Sequence, residues 1–230
     1  MATALVSALP ASEGARRHVA ALGLEAHPEG GFYRRWYTAS TVVSADLPAA
    51  RRGYPPGAER ALASAIHYLL EAGGRSRLHR IRGDELWLWQ GGGPIVVMEL
   101  LPPALAGDCG AADGVAPPPP PVTVRRTVLG PDAAAGHVLS HAVPGGATFG
   151  AYVPAAQAPG YALVSCVVTP GFDFQDWDMH AEPELPAVLL AAAGAAAAAA
   201  AAGGGDAGVG RDALAVVRYL ALGATAPLPE

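Results

Sequence analysis

A histidine and a glutamate stand six residues apart in a stretch bracketed by glycines, Gly73 to Gly92, which reads GGRSRLHRIRGDELWLWQGG. Side chains alternate along a strand, so Arg77, His79 and Ile81 are expected on one face. Arg82-Gly83-Asp84 has turn chemistry, and the strand after it puts Glu85, Trp87 and Trp89 on one face. The stretch therefore reads as a β-hairpin, with His79 and Glu85 pointing to the same side from adjacent strands. An imidazole beside a carboxyl makes either a general acid–base pair or two ligands of a metal site. Among Trp87, Trp89 and Phe149, burial would raise the pKa of Glu85, while a nearby cation would lower it again, leaving it near neutrality. Arg34 or Arg77 would then hold an anionic or keto oxygen of a ligand. Trp87 and Trp89 offer flat faces for stacking, or else belong to the core. A buried His-Glu hydrogen bond with no catalytic task is the plainer use of the same pair.

Short strands must position these residues. Ser12 caps a helix over Glu13 to Leu22, with Ala15, Val19 and Leu22 on one face and Gly23 as its stop. His27-Pro28-Glu29-Gly30-Gly31 forces a turn, and the aromatic-rich run after it reads as a strand. Further strands are expected at 64–70, 95–101, 122–129, 138–143 and 161–169, with turn signals at Gly130-Pro131-Asp132 and Pro144-Gly145-Gly146. Many short strands with one early helix predict an all-β barrel or sandwich. The domain layout reads as a flexible N-terminus over 1–11, a barrel over 12–180 with a proline-rich loop insertion at 102–121, and an Ala/Gly low-complexity insert at 181–210. A C-terminal helix and tail follow at 211–230, with Leu214, Val217 and Leu220 at helical spacing.

Gly73, His79, Glu85 and Gly92 resemble the first signature of the cupin superfamily, G-x5-H-x-H-x3,4-E-x6-G. Its second histidine position holds Ile81. The second signature is recognisable near Pro144-Gly145-Gly146, where Gly136 is displaced and the histidine position falls on Phe149. His27-Pro28-Glu29-Gly30-Gly31 with Arg34, and Thr169-Pro170-Gly171-Phe172-Asp173-Phe174, resemble more closely the cupin family of unknown function that carries HPEGG and PGFDF sequences, over roughly 15–178. The resemblance implies a double-stranded β-helix, the RmlC-like jelly roll, commonly as a homodimer. It implies no settled reaction; relatives at large include metal-free epimerases and metal-dependent enzymes. With two of four usual ligand positions hydrocarbon, no metal is assigned. A divalent ion, if bound, would rest on His79 and Glu85, with His27 and His67 as possible recruits. The PGFDF segment is expected to bury Phe172 and Phe174 and to use Asp173 as a turn cap.

Composition narrows the function. A net charge of −5 and a pI near 5.8 argue against nucleic acid and anionic membranes as partners. All fifteen basic residues are arginine, a compositional bias that lowers the weight of any single one. The two cysteines, Cys109 and Cys166, suit a reducing, cytoplasmic setting, although a short organelle-targeting segment stays open. The expectation is a small-molecule-binding barrel: an isomerase or epimerase acting on a sugar-like or keto-acid ligand through His79 and Glu85. A non-catalytic sensor or storage protein, and a metal-dependent enzyme, stay open beside it.

Overall fold

A computed structural model describes residues 10–44, 54, 57–101, 123–179, 216, 219 and 220. Helix α1 (Glu13–Leu22) begins at Ser12, whose hydroxyl accepts from the Ala15 N–H, and ends at Gly23 in the left-handed conformation, as the capping residues predict. The strands are β1 (Glu25–Ala26), β2 (Phe32–Thr38), β3 (Val42–Ser44), β4 (Glu59–Ala61), β5 (Ser64–Glu71), β6 (Arg75–Ile81), β7 (Asp84–Gly92), β8 (Ile95–Leu101), β9 (Thr123–Leu129), β10 (Ser140–Val143), β11 (Thr148–Tyr152), β12 (Tyr161–Thr169) and β13 (Trp177–Met179). They form a six-stranded sheet in the order β1-β2-β5-β12-β7-β10 and a five-stranded sheet in the order β13-β6-β11-β8-β9, with β3 and β4 paired apart. Every pairing of named strands is antiparallel, and the two larger sheets make the expected jelly roll. Strand β11 is absent from the sequence reading, because its five residues, TFGAY, carry a central glycine and follow a Pro-Gly-Gly turn without an alternating run.

One expectation is overturned. Strands β6 and β7 are not a hairpin: β6 pairs with β11 and β13, whereas β7 pairs with β12 and β10. The Arg82-Gly83 link is a corner that carries the chain from one sheet to the other. The core between the sheets is built by inward residues of both, including Tyr68, Leu70, Ile81, Trp87, Ile95, Val97, Phe149 and Val164. On the far side of the larger sheet, Ala15 and Leu24 bury Leu69, Phe32 and Leu163, with Val19 and Leu22 packed alongside. That is the helix face the spacing predicts.

Val216, Tyr219 and Leu220, in the range expected for a C-terminal helix, are buried and helical, while the course of that segment lies outside the described residues. Leu220 lies 3.4 Å from where a Gly150 side chain would begin, and the Tyr219 hydroxyl donates to the Gly73 carbonyl at 2.6 Å. The rest of 211–230, the proline-rich insertion 102–121, the low-complexity insert 181–210 and all of 1–11 except Pro10 and Ala11 lie outside the described residues. Among the described residues no helix is long and apolar enough to cross a membrane.

Candidate functional site

One end of the barrel opens into a cavity of about 450 Å³, whose lining includes His27, Glu29, Tyr68, His79, Glu85 and Cys166. His79 and Glu85 thus share a site as expected, but they reach it from opposite sheets. His79 comes from β6 and Glu85 from β7, across the interior. Such facing placement suits a ligand held between two groups better than a hairpin does.

A bulge sets the aim of β6. In register with β11, His79 faces Phe149 and Ser76 faces Ala151, so two residues of β6 oppose the single Gly150. The extra residue resets the alternation. Ser76 and His79 both reach Glu29, while Arg77 turns away and donates to the Pro28 carbonyl at 2.7 Å. Gly150 is required here, since a Cβ would lie 2.8 Å from the Ser76 carbonyl oxygen.

Glu29 is the centre that sequence reasoning discounted as a turn residue. It is 7% exposed; its carboxylate accepts from the Ser76 hydroxyl and from the Trp177 indole N–H, both at 2.7 Å. Its Oε2 lies 3.4 Å from His79 Nδ1 and 3.8 Å from His27 Nδ1. The Pro-Glu-Gly-Gly turn makes this possible: Gly30, at φ 116°, lies so close to β6 that a Cβ would sit 2.3 Å from the Arg75 carbonyl oxygen. A local signal existed, an acid and a histidine two residues apart before paired glycines.

The hydrogen-bond partners assign the two imidazoles opposite tautomers. His79 Nδ1 lies 2.7 Å from the Arg77 carbonyl, so it carries the proton and Nε2 keeps the lone pair. His27 Nδ1 accepts from the Glu29 N–H at 3.2 Å, so its proton is on Nε2. Burial lowers the His27 pKa, opposed by the Glu29 carboxylate and reinforced by His79. Glu85 moves the other way: burial, followed by the nearby Glu29 charge, pushes its carboxyl up to about 8. The Cys166 thiol and the Trp87 indole pull it back in part. The indole N–H itself stops short of hydrogen-bond geometry and has no other partner among the described residues. At neutral pH Glu85 therefore holds its proton, in the same cavity as the His79 imidazole.

The other expected site residues divide. Trp87 lines the cavity; Trp89 does not, its indole N–H donating to the Gly93 carbonyl at 3.1 Å. Phe149 is fully buried with its ring edge-on to His79, centroids 4.2 Å apart, and supports the imidazole without facing the cavity. Arg34 lies at the mouth, but its guanidinium donates to the Leu22 carbonyl that ends α1. The neighbouring Arg35 is a second cation of the rim, donating to the Phe172 carbonyl at 3.3 Å and lying over the Phe172 ring. His67 is on the outer sheet face, stacked on Trp36. Asp173 caps a turn as expected, accepting from the Gln175 N–H, but Phe174 is 54% exposed at the mouth instead of buried.

The donor set does not fit a metal. Among the described residues no three His, Cys, Asp or Glu side chains converge to hold an ion. Ile81 and Phe149, at two positions where the cupin signatures place ligands, are hydrocarbon.

The family described as Cupin superfamily (DUF985) matches residues 16–180. Among solved structures, a hypothetical protein from Leishmania major is similar at 31% identity with a TM-score of 0.60, the match covering 74% of this chain and 88% of that one. A Shewanella oneidensis protein is similar at 27% identity and a TM-score of 0.59, covering 90% of this chain and 97% of its own. No curated protein matches the sequence.

Proposed function

Because the chain belongs to the cupin superfamily, in the family that carries the DUF985 description, we propose that its barrel is a metal-independent acid–base catalyst, an isomerase or epimerase of a small carbonyl compound. The observation that carries this reading is the pairing in one cavity of a carboxyl raised to about 8 with an imidazole whose Nε2 is free to accept a proton. The Glu85 O–H protonates the carbonyl oxygen as His79 Nε2 removes the proton from the adjacent carbon, giving an enol. Return of a proton to that carbon, or to the former carbonyl carbon after the enol shifts, completes epimerisation or isomerisation with no net change in protons. Glu29 is the positioning residue: it faces the protonated Nδ1 of His79 and steadies the imidazolium that forms.

The test follows carbon-bound hydrogen. In D2O, proton NMR of 2-oxo acids and ketoses incubated with the protein should show exchange that is lost in His79→Ala and in Glu85→Gln, with circular dichroism unchanged. Binding without exchange would favour the alternative, a non-catalytic ligand-binding barrel. That reading draws on how fully Ser76 and Trp177 already satisfy Glu29.

The same reading takes the chain as a homodimer. Its support is the outer face of the six-stranded sheet, where Trp36 of β2, stacked on His67, and Leu86 of β7 are exposed with β5 and β12 between their strands.

A further inference from the structure

The hydrogen-bonding capacity of the cavity is small for its size. Most polar groups in its wall are already engaged. The Tyr68 hydroxyl donates to the Gly30 carbonyl at 2.7 Å, and the Ser64 hydroxyl accepts from the Phe172 N–H at 2.9 Å. Glu29 holds Ser76 and Trp177, and the Asp173 carboxylate accepts from the Gln175 N–H. What is left inside is the Nε2–H of His27, the Nε2 lone pair of His79 and the Glu85 carboxyl with the unpartnered Trp87 N–H beside it. The remaining wall is apolar: Ile66, Ile81, Trp87, Val168 and Phe172. A polyhydroxylated ligand brings many donors and acceptors, and each one buried against such a wall gives up its hydrogen bonds to water and gains none in return.

Charge is divided between inside and rim. Glu29 disfavours an anionic group deep in the cavity, whereas Arg35 at the mouth uses one of its five N–H groups on Phe172 and presents the rest. Glu25 and Asp173 also line the mouth, but Asp173 is occupied as a cap, and Glu25 lies against the Tyr33 phenol, whose pKa is raised by burial and then by that charge. Resting on the acid–base reading above, we infer that the ligand is a 2-oxo acid with a branched or aromatic hydrocarbon side chain, and not a sugar. Its carboxylate meets Arg35 at the rim, its keto oxygen meets Glu85, and its side chain lies along Ile66, Ile81 and Val168. The reaction this placement supports is keto–enol interconversion at the carbon next to the carbonyl. The C–H proton passes to His79 Nε2 and the Glu85 proton to oxygen, so the enol has the atoms of the ketone.

The probes are 4-methyl-2-oxopentanoate and D-fructose, each titrated calorimetrically into the full chain and followed for exchange in D2O. The expected result is that the oxo acid binds and exchanges, that fructose does neither, and that Arg35→Ala weakens oxo-acid binding by about tenfold while Arg35→Lys retains part of it. Binding of fructose in preference to the oxo acid, or of neither at millimolar concentration, overturns the ligand class. Oxo-acid binding that depends on Arg35 but brings no exchange upholds the class and overturns the catalytic reading instead.

Discussion

At the scale of single residues the site is governed by two carboxyls, Glu29 and Glu85, and two imidazoles, His27 and His79, gathered in the wall of one cavity. Glu85 is an acid whose pKa rises on folding, from 4.5 to about 8. Such a group stabilises the fold fully below its unfolded value and loses that contribution as pH climbs to the folded one. Stability should therefore fall between about pH 4.5 and pH 8, by up to about 1.4 kcal/mol per pH unit. Thermal melting across that range should show the slope in the wild type and a flatter curve in Glu85→Gln. The exchange rate should instead fall above about pH 8, as Glu85 gives up its proton. Glu29→Gln keeps the shape but removes the charge facing His79 Nδ1, and should lower kcat/KM by at least about tenfold with little change in KM. A rise in KM alone would assign Glu29 to ligand binding instead.

At the scale of elements the site depends on a bulge and a corner. Gly150→Ala would drive a methyl into the Ser76 carbonyl, so it should cost about 2 kcal/mol and reduce exchange more than an equally destabilising core change such as Val164→Ala. Denaturant titration beside the exchange assay separates the two effects. These same elements mark where sequence reading stops. The helix was legible because Ser12 and Gly23 act within one turn of it, and the His79, Glu85 and Trp87 faces followed from strand alternation. The bulge was not legible, because Arg77-Leu78 carries no unusual residue; the requirement falls on Gly150, seventy-odd residues away. The hairpin was misread because adjacency along the chain looks the same whether a two-residue link pairs its strands or turns a corner between sheets. Glu29 was undervalued since its partners, Ser76, His79 and Trp177, are all distant in sequence.

Across the whole molecule, the two sheets are tied together away from the cavity by a second charged cluster. Glu99 on β8 is fully buried, bridged by Arg125 of β9 in its own sheet and by His141 of β10 in the other, at 2.7 Å. Burial raises the Glu99 pKa, but His141 and Arg125 more than offset it and hold the carboxyl below its ordinary value. Its contribution is present above the unfolded pKa and is lost as pH falls through the folded one. Glu99→Ala leaves the Arg125 guanidinium and the His141 imidazole facing an emptied site and should cost about 3 kcal/mol, read by urea denaturation at neutral pH. The proposed dimer is checked at this scale too: Trp36→Arg with Leu86→Arg should halve the mass seen by light scattering without changing circular dichroism.

The indole of Trp177 reaches Glu29 across 148 positions of sequence. During synthesis the HPEGG turn leaves the ribosome long before β13 does, and Glu29 lacks one of its two fixed donors until that last strand docks. The chain thus delays its own competence: a nascent barrel lacking β13 has the reactive residues but not the clasp that orients them. Fluorescence of Trp177 would mark the moment at which beginning and end of the domain close over the same carboxylate.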